Sequence, residues 1–316
     1  RSGWISGLDE IEGRRHPTQG GLRIGKPLPE RRRDERYDPE LEWERDGQYF
    51  HYLTRWMHAL NQVSRITNDP VPLRWARELA ATVHAGFTYQ SRPNGPQRMH
   101  WKMSIDLTYP LVPSMGQHDP LDGFVVFSVL QGSGAADGPE SEKLPDLRKA
   151  IAEQAAMCAE TGLATNDPLG IGGLLVATYQ VARLIETGQL EHIDLLADLL
   201  DTALLSLVAL ARTNALRGPA AARLAFRELG LAIGLHAVER MAPLVQGDAE
   251  AFRDNRALHT RIDRIAEWLP VKDEIESFWL EPAHQQVQSW AAHEDINAVM
   301  LATSLAPDGY LGGRAP

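Results

Sequence analysis

Histidine, arginine and aspartate meet in two short stretches of the chain. HYLTRW carries His51 and Arg55, and HDPLDG carries His118 and Asp122. Histidine gains and loses its proton near neutral pH, so it can serve as acid or base without a cofactor. Arginine can hold an oxygen that becomes negative during reaction, and aspartate can accept or return a proton. A polar load surrounds these residues: Tyr49 and Tyr52, then His100, Trp101, Lys102 and Asp106 in HWKMSID, then Asn166. Near the end of the chain come His284 and the run His293, Glu294, Asp295 and Asn297. Rings beside carboxylates and amides suit a sugar, because ring faces stack on tryptophan or tyrosine while hydroxyls pair with the polar groups.

HDPLDG has a plainer reading as well. Aspartate is a favoured helix N-cap, proline is favoured at the first helical position, and a cap stabilises by about 1 kcal/mol. Asp119, and Asp167 in NDPLG, are read as caps on this ground. Asp122 falls one turn later, where the corresponding residues of the later repeats are Gly170 and Ala298. A cap does not demand an acid there, so Asp122 together with His118 is read as a working group.

The elements that must position these residues are helices. Apolar residues recur at helical spacing over 49–66, 72–87, 144–160, 170–186, 193–211, 220–241, 255–269 and 294–305. One set of helices is apolar on many sides and rich in Gly and Ala, as in GIGGLLVATY. The other carries charge on one face, as in RIDRIAEW. A helix apolar all round is buried and a striped one faces water, so their alternation predicts an inner and an outer ring. RDGQYF, HDPLDG, NDPLGI and EDINAV each set an Asp at the start of an inner-type helix, with a further start near Pro219. The expected fold is all-α: one (α/α)6-type toroid spanning 1–316, with minor β-hairpin pieces. Residues 1–45 and 88–118 are rich in Pro and Gly and are expected to cover the mouth where the inner helices begin. In 100–105, alternation sets His100, Lys102 and Ser104 on one face. The run 132–142 reads as a plain connector.

The totals exclude several classes. The 316 residues carry a net charge of −10, which draws in no phosphate backbone, so no nucleic-acid partner is expected. Arg31, Arg32 and Arg33 are followed at once by acids and are read as solvated surface. Cys158 is the one cysteine, which rules out an internal disulfide and a cysteine zinc site. No HExxH, nucleotide-binding glycine loop or GxSxG elbow occurs, and neither metal nor cofactor is expected. No run reads as a membrane span or a secretory signal, and a cytoplasmic location without a membrane partner is expected. The chain opens at Arg1 without a methionine, which leaves room for a preceding segment. His84, His192 and His259 are read as surface groups and His236 as a core residue.

LTRWMHAL (53–60) resembles the TTRMxHAF helix of the N-acylglucosamine 2-epimerase family of sugar isomerases and epimerases. Thr54, Arg55 and His58 fall on that motif. GWISGLDEIEG (3–13) is similar to a strand-and-turn motif that precedes that helix in the family, and EPAHQQVQSW (281–290) resembles its PGHxxEW segment. The resemblance implies an (α/α)6 toroid of the six-hairpin carbohydrate-active type. It implies that Arg55 faces the substrate and that His284 lies near a catalytic histidine. The spacer between the first two motifs is longer here, and the glutamate expected after His284 is absent.

Three functions follow. The first is a cofactor-independent sugar isomerase or epimerase, with proton transfer by two of His51, His100, His118, His284 and His293, and Arg55 on an enediolate-like oxygen. The second is a glycoside hydrolase pairing Asp122 with Glu294 or Asp295, Asp106 in reserve, at about 6.5–9.5 Å for inversion or about 5–5.5 Å for retention. The third is a non-catalytic helical scaffold. The expected partner is a small molecule, a sugar, with a homo-oligomer left open.

Overall fold

The structure is a computed structural model that describes residues 3–93, 95–133, 144–247, 250–253 and 255–312. The connector read at 132–142 lies outside the described residues from 134 onward. The chain is all-α with small strands, and it divides into two compact units, Arg1–Gly162 and Leu163–Pro316.

The first unit opens on α1 (Glu10–Arg15) and α2 (Pro39–Glu44). Asp9 caps α1 by accepting from Ile11 and Glu12, and no strand forms over 3–13 where the resemblance implies one. Strand β1 (Gln48–Tyr49) leads into α3 (Phe50–Thr67). Phe50, Leu53, Met57, Asn61 and Ser64 recur at helical spacing and form its buried side. Asn68 ends α3 in the left-handed conformation, which asparagine tolerates, and Asp69 at once caps α4 (Pro70–Phe87). The two helices thus form a tight αα-hairpin. Then come β2 (Thr88–Gln90), β3 (Gln97–Met99), β4 (Lys102–Met103) and β5 (Pro110–Val112). β2 pairs with β3, while β4 lies between β1 and β5. The unit closes with α5 (Asp119–Ser133) and α6 (Arg148–Ala159). Helix α3 packs on α4 and α5, and α5 packs on α6.

Segment 3–45 is fastened rather than loose. The Trp75 indole donates to the Arg15 carbonyl, Thr18 donates to the Trp75 carbonyl, and His16 meets Glu78 at 2.6 Å. Arg31 departs from the expected solvated run. Its guanidinium donates to Glu42 at 3.0 Å and to the Leu111 carbonyl at 3.0 Å. Arg33 lies over the Tyr109 ring, and both Arg32 and Arg33 stay exposed to water as expected. Desolvation of one carboxylate, Glu42, has drawn Arg31 in.

The second unit holds α7 (Pro168–Glu186), α8 (Ile193–Ala211), α9 (Ala225–Gln246), α10 (Arg256–Ala266), α11 (Pro270–Leu280), α12 (Gln288–Ala291), α13 (Glu294–Leu305) and α14 (Asp308–Leu311). Helix α7 packs on α8 and α9, and α9 packs on α10, α11 and α13. The helix expected from Pro219 starts at Ala225, after a 3-10 turn over Ala220–Ala222. Helices α1, α2, α11, α12 and α14 are absent from the periodicity reading because they are short or carry mixed polarity, and α5 is expected only from its start at HDPLDG. Helix α13, expected to be buried all round, exposes Ile296, Val299 and Leu305. His236 is a core residue bonded to Glu276 at 2.7 Å. His192 is exposed, whereas His84, expected at the surface, is largely buried against Glu153 at 2.6 Å.

Helix α7 is long and apolar enough to cross a membrane, a property that run-length reading misses because Gly, Thr, Tyr and Gln interrupt the run. Of its most apolar window, 72% is buried inside the structure. Its glycines explain how. A Cβ on Gly172 would lie 2.0 Å from the Gly230 carbonyl oxygen, and one on Gly234 would lie 2.6 Å from the Gly172 Cα. The two backbones touch where they cross. Gly172→Ala should therefore destabilise by at least about 1–3 kcal/mol, because backbone must move. Gly173→Ala, with nothing within 4 Å of the added carbon, should stabilise by up to about 1 kcal/mol through helix propensity. Urea denaturation of both variants checks this, and equal effects would refute the close crossing.

Candidate functional site

The site residues of the first unit are held by a buried ion cluster. Lys102 on β4 is fully buried. Its ammonium donates to Glu42 Oε1 at 2.9 Å, to the Glu42 carbonyl at 2.7 Å and to the Arg45 carbonyl at 2.8 Å. All three ammonium donors are used, so Lys102 is an anchor and not the ligand-facing group expected from alternation. The anchor fixes α2 against the sheet. Trp43, next to Glu42, therefore meets Trp101, next to Lys102, edge-on at 5.2 Å. Tyr49 lies 5.3 Å from Trp101 and 5.5 Å from Tyr52. The His51 ring stacks with Trp101 at 6.1 Å, and the Phe50 amide donates to the Trp101 carbonyl. Segment 88–118 thus lays Trp101 on the N-terminal end of α3. Trp43 and Tyr52 remain 52% and 44% exposed, which leaves ring surface open to a ligand.

One turn further along α3, the Arg55 guanidinium donates to Asp122 Oδ2 at 3.2 Å. The N-terminal ends of α3 and α5 therefore stand side by side. The Asp122 side chain keeps 14% exposure and that of Arg55 43%, so the pair is within reach of solvent. Burial lowers the His51 imidazole to about 4, helped by Arg55 and opposed by Asp122. His51 is therefore neutral at physiological pH, and a weaker base than a free imidazole. Burial also pushes the Cys158 thiol up to about 12, with the Asp122 charge adding to it, which keeps that sulfur protonated and unreactive.

Asp119 does not cap α5. The Asp122 amide donates to the His118 carbonyl, so His118 takes the cap position and Asp119 is already helical. Its residue is 5% exposed, and Oδ2 has no hydrogen-bond partner. Burial, then the Asp122 charge, push its carboxyl up to about 7; the Gly116 backbone hydrogen bond and Arg55 act in the other direction. Of the repeat's aspartates, only Asp167 caps a helix, accepting from the Gly170 amide. Asp46 pairs with Arg23 instead, and Asp295 lies inside α13 behind His293.

The other sequence candidates scatter. His100 stacks on Tyr89 at 4.2 Å and bonds to the Pro113 carbonyl. Asp106 accepts from Ser104 and Thr108 within its own turn. In the second unit, Asn297 is fully buried, accepting from the Phe226 amide at 2.9 Å and donating to the Trp290 carbonyl at 3.0 Å. Its work is to tie the starts of α9 and α13 together. His293 lies edge-on to Phe226, and Asn166, Glu294 and Asp295 are exposed. His284 stacks on Phe278 at 3.9 Å and bonds to its carbonyl at 2.7 Å, which occupies one ring nitrogen. Asp122 belongs to the first unit, and Glu294 and Asp295 to the second. Among the described residues, no group of three or more His, Cys, Asp or Glu side chains is placed to hold a metal ion.

Sequence reasoning missed Trp43 and the buried state of Asp119. Trp43 had a signal, an aromatic inside the acidic run LEWERD just before Tyr49. Asp119 had none, because its sequence context is that of a cap.

The chain matches no family model, no curated protein and no solved structure.

The His51 environment makes a pH prediction. In the unfolded chain an imidazole titrates near pH 6.5. In the folded chain His51 titrates at about 4, so the unfolded state takes up the proton first as pH falls. Its contribution to stability is thus lost as pH drops from about 6.5 toward about 4. Nitrogen-15 NMR of the histidine rings should show the low midpoint. Arg55→Gln should raise it and Asp122→Asn should lower it. A His51 midpoint near 6.5 in the native protein would refute this account of the site.

Proposed function

We propose that the chain is a carbohydrate-active enzyme, a cofactor-independent isomerase or epimerase of free sugars. The observation that carries this reading is a neutral, partly buried His51 set between an aromatic platform and the Arg55–Asp122 pair. The sugar ring lies on the exposed faces of Trp43 and Tyr52. His51 removes the proton from the carbon next to the carbonyl, and Arg55 holds the enediolate oxygen that results. Asp122 orients Arg55 and exchanges the second proton. His118, at the head of α5, lies beside this pair in the chain and completes the set.

The same reading takes the architecture as the (α/α) toroid that the family resemblance implies. Its support is the helix-on-helix packing inside each unit, where α3 lies on α4 and α5, and α9 on α7 and α13. A cytoplasmic location and a sugar as the small-molecule partner belong to the proposal. So does the absence of a nucleic-acid partner, supported by the net charge of −10.

The test is proton exchange. Free aldoses and ketoses are incubated with the protein in deuterated water and followed by NMR. The expected result is deuterium at the carbon next to the carbonyl. Asp122→Asn should reduce the rate by about 10²–10⁴-fold, since an amide neither takes nor gives the proton. The same variant should cost stability by no more than about 1 kcal/mol, because the ion pair is solvent-accessible. Release of new reducing ends from glycosides without any exchange would replace this reading by a glycoside hydrolase.

A further inference from the structure

Asp119 is an anomaly among the helix-start residues. Asp9, Asp38, Asp69, Asp167 and Asn255 each accept from amides of the helix they precede. Asp119 carries the same local sequence signal and does not. It sits inside the first turn of α5, its Oδ2 buried and unpartnered. Gly116 closes over it so tightly that a Cβ there would lie 2.4 Å from Oδ2. On the next turn of the same face, three residues along the helix, Asp122 takes the guanidinium of Arg55. Two carboxyl groups thus share the neighbourhood of one cation, and only the outer one is paired with it.

A buried carboxylate with an unpartnered oxygen is strongly disfavoured, and a neutral carboxylic acid far less so. Two adjacent carboxylates also disfavour double ionisation. Among the described residues, the charged and titratable groups around Asp119 are few. Asp122 stands on its own helix, His118 precedes it, and Arg55 and His51 come from α3. Cys158 comes from α6, in the field of Asp122. Helix α4 meets α5 toward its other end, where Arg77 donates to Gln131. Arg55 is the one cation in this set, and Asp122 holds it.

We propose that Asp119 is carried as an uncharged carboxylic acid and acts as a positioning residue, leaving Arg55 committed to Asp122. Ionisation of Asp119 would set a second anion beside the pair, pull Arg55 inward and take it from its place at the substrate. The site then works below the pH at which Asp119 ionises and fails above it. This rests on the reading of Arg55 and Asp122 as the working pair.

Infrared difference spectroscopy tests the proton without any substrate. At about pH 6, ordinary aspartates are ionised. The native protein should still show a carboxylic-acid C=O band, absent in Asp119→Asn and retained in Asp122→Asn. If Asp119→Asn does not fold, native protein labelled with carbon-13 at aspartate carboxyls gives the same answer by NMR. One carboxyl should titrate well above the rest. No acid band and no late-titrating carboxyl would overturn the proposal, as would a band lost in Asp122→Asn and kept in Asp119→Asn. If sugar exchange is seen, the alkaline limb of its pH–rate profile should move upward in Asp119→Asn, and an unmoved limb would remove the positioning role. Absence of exchange on every sugar, with the acid band present, would refute the isomerase reading and leave the Asp119 proton standing.

Discussion

The contact on which the site of the first unit depends is the buried ion cluster of Lys102, Glu42 and Arg31. Two chain stretches meet there, residues 31–42 and strand β4, and the charges on each neutralise those on the other. Lys102 is fully buried and Glu42 nearly so, at 2% exposure. Removing one partner from such a cluster leaves an uncompensated charge, at a cost of about 3–5 kcal/mol. The cluster therefore specifies geometry more than it adds stability. It sets α2 on β4, and their neighbours Trp43 and Trp101 come together as a consequence. Tyr49 feels the same cluster: the Lys102 ammonium lies 5.0 Å over its ring. Burial, then nearby Tyr52 and Glu42, drive its phenol well above the usual range, so it stays a neutral aromatic wall.

Behind that wall, the helix ends do a different job. Helix N-termini collect unpaired amides and a partial positive charge, and polar side chains gather there for that reason. In the second unit several of those side chains are taken up by the structure, and Asn166, Glu294 and Asp295 face solvent. Asn297 ties α13 to α9, Asp167 joins α7 to Arg227 of α9, and Glu228 receives both Arg223 and the Trp279 indole. In the first unit the end of α3 keeps a neutral imidazole, and the Arg55–Asp122 pair stays in reach of water. That contrast is why the functional reading rests on His51, Arg55 and Asp122 rather than on His284 or His293.

The helices were legible in the sequence because each buries one face and apolar spacing reports that directly. The Gly-rich, apolar character of α7 and α9 was legible as the mark of buried helices, and the backbone contact at Gly172 is a finer consequence that the structure adds. What could not be read was the fate of single polar side chains. Lys102 and Glu42 are far apart in the chain, and no local pattern says that they neutralise each other. Asp119 and Asp167 share the motif DPL, yet one is a cap and the other is a buried acid. The difference lies in the loop before each helix. Gly116 folds over Asp119, whereas Asp167 stays accessible enough to meet Arg227 at 2.7 Å. Burial of that kind is a tertiary outcome. Arg31 shows the same limit, since a triple-arginine run looks solvated until a buried carboxylate claims one member.

The central claim is that a sugar is bound on the aromatic platform at the start of α3, beside His51. The most direct measurement is NMR of the tryptophan indole N–H signals during titration with free aldohexoses and ketohexoses. Trp43 and Trp101 should shift together and saturate with a common dissociation constant, while Trp279 and Trp290 of the second unit stay still. Unmoved signals from Trp43 and Trp101 across the titration, or saturable shifts confined to Trp279 and Trp290, would contradict it.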